Sequence, residues 1–348
     1  MKNKLVYSIV FLVFVEIIIG CNIKNKQIDK KNSVYYLDKK DSLNFKNLFE
    51  FSQGYSCQIS FSDSNFILAN RGRGTGYFLY NYSLKNKSLS EGYLEIGKGP
   101  NEILGPRQVF IHNGYLWIND ITLKKILSIK LENAISQKNL QFNEYRFKDN
   151  YLMINMIDGS RFYSTGSLNS PFRIQEIDIN TEEVINEYGK YENIPRDVPI
   201  HAYKYANQFV SYLSPDCNNL VMAYLYKDLI EIYDFNSDSL ISIRGEDGFD
   251  VEYSVEGNKA VFNKKSRSAF LDIYATQKYI YVSYSGQFIM GKPRYAKCIK
   301  VFNWEGEMIR SFMFDEKILS FYVSDNDKYL YAYDSETGYI VESEIDGL

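Results

Sequence analysis

Histidine is almost absent from this chain, with two residues, His112 and His201, among 348. That leaves little material for a His-rich metal site or for imidazole-based acid–base catalysis. Proline is scarce, at 7 residues. There is no excess of positive charge either: 40 Lys and Arg stand against 43 Asp and Glu, a net charge of −3, so the basic footprint of a nucleic-acid binder is missing. Long amphipathic helical stretches are missing too; only 131–138 reads as one or two helical turns. Of the 4 cysteines, Cys57, Cys217 and Cys298 sit in or beside apolar runs, and no spacing suits a zinc pair. They read as buried thiols, although one disulfide could form in an oxidising compartment. What the chain has in quantity is aromatic residues, 31 Tyr and 23 Phe, which favour strands and half-buried surfaces. Its length alone fits one large domain or two medium ones.

The N-terminus carries an address. Lys2 and Lys4 precede a mostly apolar run over 5–19, too short to cross a membrane comfortably and interrupted by Glu16. It ends Ile18-Ile19-Gly20-Cys21. This resembles a bacterial lipobox, in which the cysteine is acylated, with palmitate among the expected chains, and becomes the mature N-terminus. Residues 1–20 are therefore expected to be a lipoprotein signal peptide, and the lysine-rich span 21–43 a lipidated flexible tether. No acidic residues follow Cys21 directly, which favours an outer-membrane anchor facing the periplasm.

From residue 45 onward, short strand-like runs are broken by Asn, Asp, Ser and Gly. The clearest unit is 321–344: strand, Asx-rich turn, strand, turn, strand. The same grammar recurs in six sets, whose first strands fall near 55–61, 107–112, 150–157, 207–213, 268–274 and 317–323. The last set has three strands, and the span 44–51 can supply the fourth, closing a ring through the two chain ends. The expected fold is all-β, a six-bladed β-propeller over 44–348. A pair of β-sandwiches is the alternative.

The segment Tyr93-Leu94-Glu95-Ile96-Gly97-Lys98-Gly99-Pro100-Asn101-Glu102 then resembles the Gly-Lys-Gly-Pro-x-Glu signature of the TolB-like six-bladed propeller lipoproteins of Bacteroidota. That resemblance implies the same fold and an envelope location. It implies no activity and supplies no catalytic residues.

In such a ring, successive loops alternate between the two faces of the disc. With strands lettered A to D from the axis outward, the long loops 71–76, 97–106, 190–206, 245–267 and 285–294 all fall on the B–C/D–A face. Long loops are where binding functions concentrate, so this face is expected to be the working surface. The binding candidates there are Arg71, Arg73, Lys98, Glu102, Arg107, His201 and Arg294. The glycine-rich Arg71–Gly76 run could cradle an anion or be a tight turn. Gly97 to Glu102 reads most simply as a turn, with glycines for positive φ and a Glu102–Arg107 ion pair locking it. Asp325-Asn326-Asp327 and Asp247-Gly248-Phe249-Asp250 hint at calcium ligands but lack the twelve-residue loop pattern, and Asx turns explain them better. No other cofactor and no metal ligand set is expected. Ser42 and Ser239 stand in the Asp-Ser-aliphatic pattern glycosylated in Bacteroides envelope proteins.

The sequence thus favours an envelope lipoprotein that binds or scaffolds a protein, peptide or glycan partner, held at the membrane by its lipid. The competing expectation is a propeller hydrolase or lactonase with a metal in the axial channel. No nucleophile elbow or base–nucleophile pair is identifiable, which argues for binding over catalysis.

Overall fold

The computed structural model describes residues 30–34 and 40–345, apart from 55–56, 63, 71–75, 166–167 and 291–293. The described residues are mostly strand, with two short helices. Blade 1 comprises Cys57–Ser62, Asn65–Asn70 and Tyr77–Ser83, with its outer position shared by Ser88–Leu89 and Tyr93–Glu95. Blade 2 is Pro106–His112, Tyr115–Asp120, Lys125–Lys130 and Asn143–Arg146. Blade 3 is Ile154–Met156, Arg161–Ser164, Phe172–Asp178 and Val184–Lys190. Blade 4 is Phe209–Leu213, Asn219–Tyr224, Leu229–Asp234 and Ser239–Arg244. Blade 5 begins with Phe270–Ala275, Tyr279–Tyr284 and Ala296–Asn303. Its outer strand is the first part of the 16-residue strand Met308–Val323. That strand continues to the axis and becomes the inner strand of blade 6, followed by Tyr329–Asp334 and Tyr339–Glu344. The fourth strand of blade 6 is Lys46–Glu50, antiparallel to Tyr339–Glu344. All six inner strands lie where the repeat places them, and the ring closes through the expected N-terminal strand.

The cores confirm the blade count. Six apolar clusters occupy the six interfaces between neighbouring blades. Middle strands such as Asn219–Tyr224 are therefore buried on both faces rather than in alternation. Each interface also carries a hydrogen-bonded latch. Asn81 Nδ2 donates to Ala134 O at 2.6 Å between blades 1 and 2. The Gln108 amide accepts from Ile154 N at 2.7 Å and donates to Ile154 O at 3.1 Å between blades 2 and 3. Asn155 Nδ2 donates to Ser211 Oγ at 2.8 Å, Ala269 N to Leu225 O at 2.7 Å, and Phe321 N to Asp272 Oδ2 at 3.2 Å, around the next three. Tyr333 donates to Gly54 O at 2.8 Å across the closing interface. Buried polar groups satisfied in this way fix the blade register.

Part of the span expected as a flexible tether is ordered. Lys30–Val34 runs parallel to Ser239–Arg244 on the outer edge of blade 4, and Lys40–Ser42 parallel to 311–313 on blade 5. Leu43 is buried, and its N–H donates to Met313 O at 2.8 Å. An outer blade edge presents unpaired backbone groups, and the polar composition of this segment did not prevent it from covering them. The expected signal peptide and Cys21 lie outside the described residues.

Closure rests on two phenylalanines. Phe49 stacks on Tyr82 of blade 1, with centroids 3.5 Å apart. Phe51 is fully buried, edge-on to Tyr80 of blade 1 and Tyr333 of blade 6. Its N–H donates to Gly338 O at 2.8 Å. Phe51→Ala should lower the unfolding free energy by roughly 3–5 kcal/mol, because the cavity sits between two sheets that cannot both collapse into it. Urea denaturation of the purified protein measures this, and a loss under about 1 kcal/mol would show that closure does not depend on this ring.

Candidate functional site

The six inner strands enclose an axial channel of about 950 Å³. Each inner strand starts at the B–C/D–A face and ends at the A–B/C–D face, so position along the strand assigns each lining residue to one mouth. At the A–B/C–D mouth, Tyr212, Tyr274 and Tyr322 form a belt, with centroids 5.0 and 4.7 Å apart in sequence around it. Tyr322 donates to Asp325 Oδ1 at 3.4 Å, and Tyr274 reaches the same oxygen at 3.5 Å. Burial raises the pKa of all three phenols, so they stay protonated donors near neutrality.

The long-loop mouth is different. Arg107 is the second residue of the blade 2 inner strand, and Arg294 ends the 285–294 loop of blade 5. Blades 2 and 5 face each other across the ring, yet both arginines line the channel. Burial is the main cause of the lowered Arg107 pKa. The Arg294 charge depresses it further, while Tyr226, Asp272 and Tyr205 act the other way. Arg107 keeps its charge, because an arginine is effectively always protonated in a protein. Tyr205, on the helix Ile200–Ala206, and Tyr226 stand beside Phe262, with centroids 6.1 and 4.2 Å from its ring. Gln58 and Gln208 line the same end.

Two long connections roof this mouth. The hairpin Tyr253–Glu256 and Lys259–Phe262 packs on the helix Ile200–Ala206 through Ala202, Ala206 and Ala260. His201 Nδ1 lies 3.2 Å from Asn258 O in the hairpin turn. This expected binding residue therefore ties the two connections together and does not line the channel. Arg244 and Arg267 hold Asp250 and Asp247 at 3.0 and 3.1 Å, and Tyr284 donates to Asp247 at 2.5 Å, so this acidic pair is taken up by the protein's own donors.

The turn 97–102 lies on the same face. Glu102 accepts from Gly99 N at 2.5 Å, and a Cβ at Gly97 or Gly99 would overlap its carboxylate. The glycines are needed for space, not for positive φ; Leu94 and Asn101 adopt positive φ here, at 63° and 54°. Glu102 serves the turn through Gly99, and the charges acting on Arg107 include those of Arg294 and Asp272 in the channel. Lys98 is exposed on the turn. Arg71 and Arg73 lie outside the described residues. Of the sequence candidates the structure thus brings Arg107 and Arg294 together. Tyr205, Tyr226 and Asp272 are not among the sequence candidates; for Tyr205 and Asp272 the available signal was position just before or at the start of an inner strand, whereas Tyr226 comes from the B–C loop of blade 4 and carries no such mark.

Elsewhere, Ser42 is exposed on its edge strand, and Ser239 Oγ lies 2.7 Å from Ser237 Oγ. Cys217 and Cys298 are free thiols, and burial raises the pKa of both. Among the described residues no group of three or more His, Cys, Asp and Glu is placed to hold a metal ion, and no helix is long and apolar enough to cross a membrane.

Comparison with known proteins agrees with this architecture. A family described as TolB-like 6-blade propeller-like matches residues 35–326. A candidate exported protein of Bacteroides fragilis superposes with a TM-score of 0.58 at 14% identity, covering 92% of this chain and 100% of that one. A member of the DUF4221 family from Bacteroides vulgatus superposes with a TM-score of 0.52 at 11% identity, covering 87% and 98%. The WD40 domain of Neurospora crassa Pan2 does so with a TM-score of 0.50 at 12% identity, covering 88% and 98%. At these identities the likeness concerns the fold alone. No curated protein sequence matches the chain.

Behind Arg107 lies a buried lysine. Lys204 Nζ donates to Phe172 O at 2.8 Å, and burial pushes its pKa down to about 7, with Glu187 opposing. The unfolded chain then binds more protons than the folded one between about pH 7 and 10.5, so this group makes stability rise with pH across that window. Lys204→Met should remove that rise. Urea unfolding near both ends of the window should show wild type gaining on the variant as pH increases, and a difference that stays constant would refute the lowered pKa.

Proposed function

Since the chain belongs to the family of TolB-like six-bladed propellers, we propose that it is a binding module of the bacterial cell envelope that docks a protein partner on its B–C/D–A face. The observation that carries this reading is the distribution of exposed apolar side chains. Among the described residues, seven of the eleven large hydrophobics that stand exposed belong to this face. Phe288 and Met290 are 57% and 55% exposed, and Tyr205 and Val261 stand exposed on the helix and hairpin of the roof over the channel. Tyr77, Ile96 and Leu104 continue the set around the ring. The remaining four are Leu140, Val184, Ile185 and Tyr329. A soluble surface concentrates such residues where another surface covers them. The face is also built to hold its shape, since the helix and hairpin pack together and Arg267 lies over Phe249 and Phe288 at 4.4 and 5.8 Å. A preformed surface loses less conformational entropy on binding.

In this reading Cys21 carries the lipid that holds the propeller at the outer membrane on the periplasmic side. Ser42 and Ser239 are its candidate glycosylation sites. The channel is a second, separate feature of the same face.

A photo-crosslinking side chain placed at Phe288 or Met290 in living cells should capture a discrete protein partner. The same group at Tyr329, on the other face, should not. Equal capture from both positions, or capture from Tyr329 alone, would overturn the assignment of the face.

A further inference from the structure

The two arginines at the long-loop mouth have a geometry that the docking surface does not explain. Arg107 leaves the inner strand of blade 2, and Arg294 arrives from blade 5 on the far side of the ring, yet both line the same channel, and the Arg294 charge acts on Arg107. Bringing two guanidiniums together over a partly buried cavity is unfavourable unless a negative charge joins them. The carboxylate among the groups acting on Arg107 is Asp272. Its two oxygens also accept from Phe321 N and Ile273 N, at 3.2 and 3.0 Å, so it is shared with the latch between blades 5 and 6. The mouth therefore presents a concentrated positive charge in a chain whose net charge is −3.

The rest of the lining defines the body that would accompany the anion. Tyr205 and Tyr226 offer aromatic walls on one side of the mouth. Below them the walls carry the amides of Gln58 and Gln208 and the hydroxyls of Ser60, Ser211 and Ser320. An apolar body would desolvate these groups without replacing their hydrogen bonds. A polyhydroxylated one would replace them and present its C–H face to the tyrosines. A cavity of about 950 Å³ accommodates a ligand of one to a few sugar rings.

We propose that the axial channel is a binding site for an acidic sugar, with its carboxylate or phosphate held between Arg107 and Arg294 and its hydroxylated ring lying against Tyr205 and Tyr226. Guanidinium forks match both oxyanions, and the ring contacts supply the requirement for a sugar. The site goes beyond the docking role and does not depend on it.

Isothermal titration of the purified mature protein tests this with glucuronate, glucose 6-phosphate, glucose, glutarate and inorganic phosphate. Glucuronate or glucose 6-phosphate should bind at least tenfold more tightly than glucose, and comparison of the two identifies the preferred oxyanion. Arg294→Gln and Arg107→Gln should each weaken that binding about tenfold or more, as expected for loss of a charge-assisted contact. Arg107→Lys should retain part of it. Phe288→Ser should leave it unchanged, which separates failure of this site from failure of the docking face. Because Arg294 is exposed, its variant is expected to fold even if Arg107→Gln does not, and circular dichroism checks both. The proposal is overturned if glucose matches the acidic sugars, if glutarate or phosphate alone matches them, if the arginine variants bind as wild type, or if no acidic sugar gives saturable heat.

Discussion

A propeller is only as stable as its last interface, and here that interface is assembled from the two ends of the chain. Without Lys46–Glu50, blade 6 would have three strands and an open edge, and blade 1 would face a sheet too narrow to cover its aromatic side. With that strand in place, Phe49 and Phe51 reach across to Tyr82 and Tyr80, and Tyr333 reaches back to Gly54. The strand is separated from its partner by nearly the whole sequence, so its pairing carries a large loop-closure cost. The density of aromatic contacts at this junction opposes that cost. The Tyr and Phe content that dominates the composition is thus spent chiefly on blade-to-blade packing.

Closing the ring also fixes the channel. Each blade is held by a latch to the next, and several latches come from the same side-chain layer that lines the axis. Gln108 and Asp272 illustrate the coupling: each lies on an inner strand, each borders the channel, and each bonds to the backbone of the neighbouring inner strand. The channel wall is therefore polar for a structural reason before any ligand is considered. Arg107 stands one position before Gln108, at the point where the strand leaves the latch and opens toward the long-loop face. Its position is set by the ring, whereas Arg294 is brought in by a loop.

This division explains what the sequence made legible. Middle strands announce themselves as apolar runs because they are buried on both faces, and the turns between strands repeat with them, so the positions of all six blades could be read directly. The alternation of loop faces followed from strand direction alone. The roof of the channel could not be read in that way. The helix Ile200–Ala206 is too short to show a helical period, and the hairpin around Gly257 consists of two four-residue strands in a polar stretch. The meeting of Arg107 and Arg294 was equally hidden, because they come from opposite blades and nothing local links them. The ordering of 30–34 and 40–42 depended on vacant outer edges elsewhere in the fold, which a charged, lysine-rich composition does not reveal.

The same accounting bears on chemistry. A hydrolytic propeller needs carboxylates or amides that converge on one point and remain available to a metal or a water. In this channel Asp272 is shared between Arg107 and the backbone of blade 6, and Asp325 takes hydrogen bonds from Tyr322 and Tyr274. Burial lowers the pKa of His112, against a hydrogen bond with the Ile157 backbone, and it lies at the mouth opposite the arginines. Acid, base and cation are thus distributed along the axis instead of converging. What does converge, at the long-loop mouth, is positive charge with aromatic walls, a combination suited to holding an anion in place rather than to moving a proton.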